Sequence, residues 1–460
     1  MERESVSAFL KKFFSLYFLL VLQNVITLSV NLADNVMLGG YSEISLSGVA
    51  AVNQVQFVYG QLLFALGDCL VMYCSQYYGK GEKEPIRRMA GIALRSAFCI
   101  CLLLFTATGL FPRQILHLFT EEEEIIAEGV RYLGIIRYTY LFFALTQILL
   151  ALLRSMGRVA PAFWLSVQSL VVNASLNYCL IYGRFGLPRL GVRGAAIGTL
   201  VARALECSVL LLYLYRKENT VALRPKDLLL FDGALRRDYF RSAIPMMFVQ
   251  GLWGLNTALQ TVVLGHMKAA AMAAGSVSST LFLVVKSIAV GSSATASVLI
   301  GQKIGEGNLP EVKVTAKRLQ LVFAALGIVA GTLLFTLRGP ILSLYSLSEE
   351  TRLLADHFLI ILSVVEVGVS YQMPVNNGII RGGGSPLFVV KMDLISIWGI
   401  VIPLSFFMAF VVGASPEVVV CCLNADQLFK CVPAFIKCNL GSWIRVLTRD
   451  QKDQLEEANE

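Results

Sequence analysis

Charge is what this chain has least of. Only 15% of its 460 residues are Asp, Glu, Lys or Arg, against about 25% in a soluble globular chain, while 56% are apolar. That shortage excludes a water-soluble domain. Histidine is almost missing as well: His117, His266 and His357 fall near the ends of apolar runs and form no cluster. The ten cysteines contain no Cys-x-x-Cys pair, and eight of them lie inside apolar runs, where Cys behaves as a small hydrophobe. A metal centre has no spacing to stand on. Enzyme motifs are absent too. There is no His-Glu-x-x-His, no phosphate-binding Gly-x-x-x-x-Gly-Lys-Ser/Thr and no Gly-x-Ser-x-Gly elbow, which disfavours a membrane-embedded enzyme and an ATP-driven pump acting alone.

Long apolar runs are what the chain has instead. A spanning helix takes about 20 mostly apolar residues, and twelve segments qualify, at 13–38, 52–76, 90–111, 132–154, 160–182, 194–215, 240–265, 277–301, 317–337, 357–380, 387–411 and 415–436. Backbone polar groups in hydrocarbon must be satisfied internally, and runs of this length suit helices rather than alternating strands. The expected fold is therefore an all-α membrane protein of twelve transmembrane helices. The last segment is interrupted by Asp426 and Lys430, so an interfacial helix is its alternative; twelve spans put both basic termini on one side. Lys11 and Lys12 precede a first run that is long enough to span and lacks a small-residue cleavage site, so it is expected to stay as a helix.

Orientation follows the cations. Lys80, Lys83, Arg87 and Arg88 follow the second segment, Arg154 and Arg158 the fourth, Arg216, Lys217, Arg224, Lys226, Arg236 and Arg237 the sixth, and Lys303, Lys313, Lys317 and Arg318 the eighth. These connections are expected in the cytoplasm with both termini, in a cell membrane. The opposite set is poorer in cations and holds Glu121 to Glu124, although Arg184, Arg189 and Arg193 break the pattern. The net charge of +8 is a matter of topology. Cations scattered over loops with no aromatic platform exclude nucleic acid as a partner, and no obligatory protein partner is evident.

The chain repeats itself. Gln76-x-x-Gly79-x-Gly81 returns as Gln302-x-x-Gly305-x-Gly307, an offset of 226, and Ile115, Leu116, Leu118, Glu123 and Glu124 return at that offset as Ile341, Leu342, Leu344, Glu349 and Glu350. Leu38-Gly39 maps likewise to Leu264-Gly265, and Arg154-x-x-Gly157 is echoed by Arg381-x-x-Gly384. Two pseudo-symmetric six-helix bundles are expected, over 1–215 and 241–460, joined by a cytoplasmic linker at 216–240. Because six is even, the repeats run parallel, as in transporters whose halves rock about a central site.

Function should reside where the halves differ. Asp34 maps at the repeat offset onto Gln260, so this carboxylate belongs to the first half alone. A charge at bilayer depth costs at least ~2.5–3.5 kcal/mol and is tolerated mainly where it faces other helices or a cavity. Asn31 and Asn35 flank it. Other embedded polar residues are Gln23, Asn24, Asn53, Gln54, Asn173 and Asn177 in the first half, and Gln250, Asn256, Gln260, Glu366, Lys391 and Asp393 in the second. Each has the plainer reading of a helix-to-helix hydrogen bond. Glu206, three residues from Arg203, has the plainer reading of a local ion pair. The aromatic and Met side chains Phe57, Tyr59, Tyr138, Trp253 and Met246 offer an adaptable surface for varied solutes, with ordinary helix packing as their alternative.

Particular runs carry a resemblance. Asn31-Leu32-Ala33-Asp34-Asn35-Val36-Met37-Leu38-Gly39, Leu153-Arg154-Ser155-Met156-Gly157, Asn177 to Gly183 and Pro188-x-Leu190-Gly191-Val192-x-Gly194-Ala195-Ala196-Ile197-Gly198-Thr199 resemble segments of the multidrug and toxic compound extrusion (MATE) family. So do Arg381 to Gly384, Asp393 to Trp398 and the tail from Lys430 to Leu447. Their order spans nearly the whole chain. The resemblance implies a secondary transporter that exports small organic, often cationic and amphipathic compounds by antiport with H+ or Na+, without a cofactor. It places Asp34 on the family's first-helix acid and Asn177 where some members carry a second acid. It places Gln250, by its spacing from Pro245 and Trp253, where many carry a seventh-helix Glu. The coupling-ion candidates are Asp34, Asn173 and Asn177; Asn31, Gln54, Gln250 and Asp393 complete the substrate and coupling set. A lipid-linked precursor flippase or narrow-metabolite exporter of the same superfamily is the alternative.

Overall fold

The computed structural model describes residues 5–217, 232–267, 269–343, 345 and 347–449. The segment that holds Arg224 and Lys226, like the repeat residue Leu344, lies outside them. In chain order the helices are α1 (Val6–Gly39), α2 (Glu43–Lys80), α3 (Glu84–Leu110), α4 (Pro112–His117), α5 (Glu123–Ile136) and α6 (Thr139–Ser155). Then come α7 (Ala160–Tyr182), α8 (Val192–Lys217), α9 (Gly233–Gly265), α10 (Ala269–Gly305), α11 (Leu309–Leu342) and α12 (Glu349–Met373). The last are α13 (Pro386–Asp393), α14 (Ile402–Phe406), α15 (Pro416–Asn424), α16 (Asp426–Phe429) and α17 (Cys431–Asn439). Wide π turns at Pro374–Ile380, Leu394–Val401 and Phe407–Val412 carry helix direction past α12, α13 and α14.

Among the described residues, nine helical stretches are long and apolar enough to cross a membrane. A tenth span is the pair α5 and α6, bent by 57°, where the sequence suggested one run at 132–154. The break follows Arg137, whose guanidinium lies 5.2 Å from the ring centres of both Phe105 and Tyr138. The two remaining long helices, α7 and α9, carry the polar side chains that the fifth and seventh segments were expected to carry. The chain is thus the all-α, twelve-span membrane fold that its apolar runs call for. The doubtful last segment is a stretch of apolar helix over Pro416–Asn439, long enough to cross.

The contacts divide the chain into two compact units. One comprises the residues up to Val21, Ser75–Gly81 and the chain from Ile244 onward; the other comprises Leu22–Cys74 and Glu82–Ala243. In the first unit, Phe9, Phe13 and Tyr17 of α1 join a core with Ile300, Leu319, Phe323, Ile379 and Trp443. The repeated Gln-x-x-Gly-x-Gly motif explains a close crossing within it. A Cβ on Gly79 would fall on the carbonyl oxygen of Gln302, and one on Gly305 on that of Gln76, so each copy admits the other's backbone. The second glycine of each copy, Gly81 and Gly307, has φ of 84° and 81°, the left-handed conformation that ends a helix and that L side chains avoid.

In the second unit, α8 approaches α7 through Gly194, whose Cβ would lie 2.7 Å from the Leu180 carbonyl; small residues permit such backbone contact between membrane helices. Arg154 on α6 pairs with Asp68 on α2 at 2.8 Å. At the start of α9, Asp232 Oδ1 accepts from the backbone N–H groups of Ala234 and Leu235 at 3.1 and 3.0 Å, and its other oxygen meets Arg88 at 3.1 Å. These contacts, the backbone bond from Leu235 foremost, hold the Asp232 carboxyl below its ordinary range.

Candidate functional site

Asn173 and Asn177 are four residues apart on α7, hence on one helix face, and both are buried. Thr199 and Arg203 have the same spacing on α8. The side-chain amide of Asn177 donates to Asp34 Oδ1 at 2.6 Å and to Asn173 Oδ1 at 3.2 Å. Asn173 in turn donates to Thr199 Oγ at 3.1 Å, and Thr199 donates to the Ala195 carbonyl at 3.0 Å. This relay fixes which way the Asn177 amide points. An amide has two N–H donors, both are used, and Asn177 Oδ1 is left buried without a partner.

That oxygen faces Gly198, where a Cβ would collide with it. Arg203 and the buried Tyr132 lie within electrostatic reach of Asp34. Arg203 is itself committed to Glu206 at 3.0 Å and to the Phe143 ring at 5.0 Å. Local pairing of Glu206 with Arg203 is what their spacing suggested. Asp34 thus sits among a donor amide, an unused amide oxygen and a nearby guanidinium. A carboxylate and a spare carbonyl-type oxygen are the ligand chemistry that a proton or a hard monovalent cation takes.

The other sequence candidates fall elsewhere. Asn31 and Gln54 are exposed, and neither hydrogen-bonds to the Asp34 network. Gln250 is half-buried on α9 in the other unit and makes no hydrogen bond to a described residue. Asp393 accepts from Lys430 Nζ at 2.8 Å, and Lys430 also meets Asp426 at 2.9 Å. Among the aromatic and Met candidates, Tyr59 is buried with its hydroxyl on the Tyr140 carbonyl at 2.9 Å, and Met246 is buried in packing. Sequence reading missed Thr199 and Tyr132. Thr199 closes the quoted glycine-rich run and was open to recognition by its four-residue step to Arg203; Tyr132 gave no signal.

A family model described as MatE matches this chain twice, over residues 20–179 and 245–407. The chain is a member of the MatE family. The two matches fall one in each half of the internal repeat. Among relatives, a probable multidrug resistance protein NorM of Streptococcus pneumoniae is 24% identical over 88% of each chain. One of the same name from Thermotoga maritima is 24% identical over 94% of this chain and 93% of its own. An uncharacterized transporter YisQ of Bacillus subtilis is 22% identical over 90% of each. Solved structures with this fold include two MATE transporters. A MATE in complex with MaL6 gives a TM-score of 0.85 at 15% identity over 97% of both chains. The eukaryotic MATE transporter AtDTX14 gives 0.83 at 19% identity over 98% of this chain and 99% of its own.

Proposed function

We propose that this MatE protein is a secondary active multidrug exporter that exchanges small organic compounds for protons or sodium ions across the cell membrane. The observation that carries the reading is the Asp34 relay: a membrane-embedded carboxylate 2.6 Å from an amide whose own oxygen has no partner. A cation entering there takes the Asp34 carboxylate in place of the Asn177 N–H, and its departure returns the carboxylate to that donor. Occupied and empty sites therefore differ in charge, and a ligand biases two conformations only through such differential interaction.

The repeat supplies the second element of the reading. Two lobes, 1–215 and 241–460, exchange inward-open and outward-open packings, with the cation taken up from outside and the compound released there. The names of the relatives as probable multidrug resistance proteins support small organic substrates of more than one kind. The test is efflux of fluorescent cationic dyes from proteoliposomes under separately imposed pH and sodium gradients, with the parent chain and Asp34→Asn. One gradient should drive the parent and fail to drive the variant. Efflux of equal rate from both proteins would remove Asp34 from coupling, and no movement of any dye would turn attention to a lipid-linked or narrow-metabolite substrate.

A further inference from the structure

A second set of ionisable side chains is embedded in the unit that holds the chain from Ile244 onward. Lys430 is held between Asp393 and Asp426 at 2.8 and 2.9 Å. Gln427 donates to Asp426 Oδ2 at 2.7 Å, Gln372 to Gln427 at 2.7 Å and Asn376 to Gln372 at 3.0 Å. The last member of this cluster, Asn376, has a buried Oδ1 with no hydrogen-bond partner. Glu366 is not part of it. On α12, fully buried, it accepts from Ser370 at 2.9 Å through one oxygen, and its other oxygen has no partner.

Across from it, α10 carries Lys286. Phe282 and Ala289 flank Lys286 at four and three residues, and both pack with Val365 and Val369, the residues that flank Glu366. Lys286 and Glu366 therefore stand at one level on facing helices. The ammonium makes no ion-pair contact with a described residue; it lies over the Trp253 and Phe282 rings, 5.6 and 6.0 Å from their centres. The charged and titratable groups that face this pair are Tyr17 from α1, Asp426 from the start of α16, Lys430 between α16 and α17, and Asp393 from α13 beyond them.

An ionised carboxylate in a low-dielectric interior must be compensated or neutralised. We propose that Lys286 is a tethered cation for Glu366, filling the charge requirement that a diffusible ion would otherwise meet, so that this unit takes up no coupling ion and exchange runs through Asp34 alone. As ammonium and carboxylate the two side chains sum to zero. The aromatic faces hold the ammonium without spending it on a second carboxylate. This inference rests on the antiport reading, since it assigns where the exchanged ion does not bind.

The experiment measures how many cations move per dye, from the gradient that just reverses dye flux, in proteoliposomes of the full chain. Lys286→Gln leaves Glu366 uncompensated and should add a second coupling cation. The double variant Lys286→Gln with Glu366→Gln should return the ratio to that of the parent, and Lys286→Arg should hold it there. A parent ratio that falls in Glu366→Gln alone, or a Lys286→Gln ratio equal to the parent's, overturns the proposal. Direct cation binding to the detergent-solubilised protein, followed as sodium-dependent thermal stabilisation and proton release, separates this failure from that of the antiport reading. Lys286→Gln should gain a binding event that survives Asp34→Asn, even if no dye is moved; absence of that event in a folded variant overturns the proposal independently of transport.

Discussion

The Asp34 relay is directional at the level of single atoms. Asn177 spends both donors, so everything a ligand can use there is an acceptor. Gly198 makes this possible, because any larger residue occupies the space of Asn177 Oδ1. Gly198→Ala should displace the amide from Asp34, reducing ion-driven efflux by about tenfold, the effect of about 1.4 kcal/mol, and lowering stability by about 1–3 kcal/mol as overpacking does. Efflux assays and thermal unfolding in detergent check this; unchanged values for both would mean that the Asn177 oxygen has no role. Asp34, Asn173 and Asn177 were recognisable in the sequence because polar residues in apolar runs are conspicuous. Which atom of Asn177 is left unused was not, since it depends on the positions of Asp34, Asn173 and Thr199 on three different helices.

Helix ends and crossings set the next scale. Asp232 begins α9 with the geometry of an N-cap, and loss of such a cap costs about 0.5–2 kcal/mol. Asp232→Ala should be destabilised by that amount near neutral pH. The carboxyl is held below its ordinary range in the folded protein, so its contribution is complete above about pH 4, the unfolded value, and is lost as pH falls through the folded one. Parent and variant should therefore converge in denaturation measurements on the acid side; a constant gap would assign the effect to packing. The Gln-x-x-Gly-x-Gly copies were legible as a repeat, and their spacing gave no hint that each glycine receives the other copy's Gln backbone. Gly79→Ala and Gly305→Ala should each destabilise the crossing by about 1–3 kcal/mol, seen as a lowered unfolding temperature. Gln76 also holds the non-helical strap at 441–448 that follows α17, donating to the Arg445 carbonyl at 3.1 Å and accepting from Leu447 N–H at 2.8 Å. Gln76→Ala should free that strap to carboxypeptidase digestion; equal digestion of parent and variant would show the strap held by Trp443 packing alone.

At the scale of the molecule, the compact units do not coincide with the repeat. The unit that holds α10 to α17 also takes residues up to Val21 and Ser75–Gly81 from the first half. Phe9, Phe13 and Tyr17 lie in its core, so residues 232–460 expressed alone lack part of their own interior. They should be recovered folded only when residues 1–217 are co-expressed, as judged by co-purification and monodispersity. Stable recovery of the second fragment by itself would show that these aromatic side chains are dispensable.

The sequence by itself determined that this is a membrane protein, that it is helical, that its spans number twelve and that it is a doubled six-helix unit. Each of these follows from the length, polarity and recurrence of apolar runs, which are properties of one stretch of chain meeting hydrocarbon. It also singled out Asp34, because an ionisable group in such a run is costly wherever the fold puts it. The tertiary structure decided the rest: that Asn177 and Thr199 stand with Asp34 while Asn31 and Gln54 do not, that Asp393 is bound to Lys430, and that Glu366 is left facing α10. Those outcomes depend on helix rotation and on distances of a few ångströms between segments far apart in the chain. A pattern along one segment carries no information about which face of another it will meet.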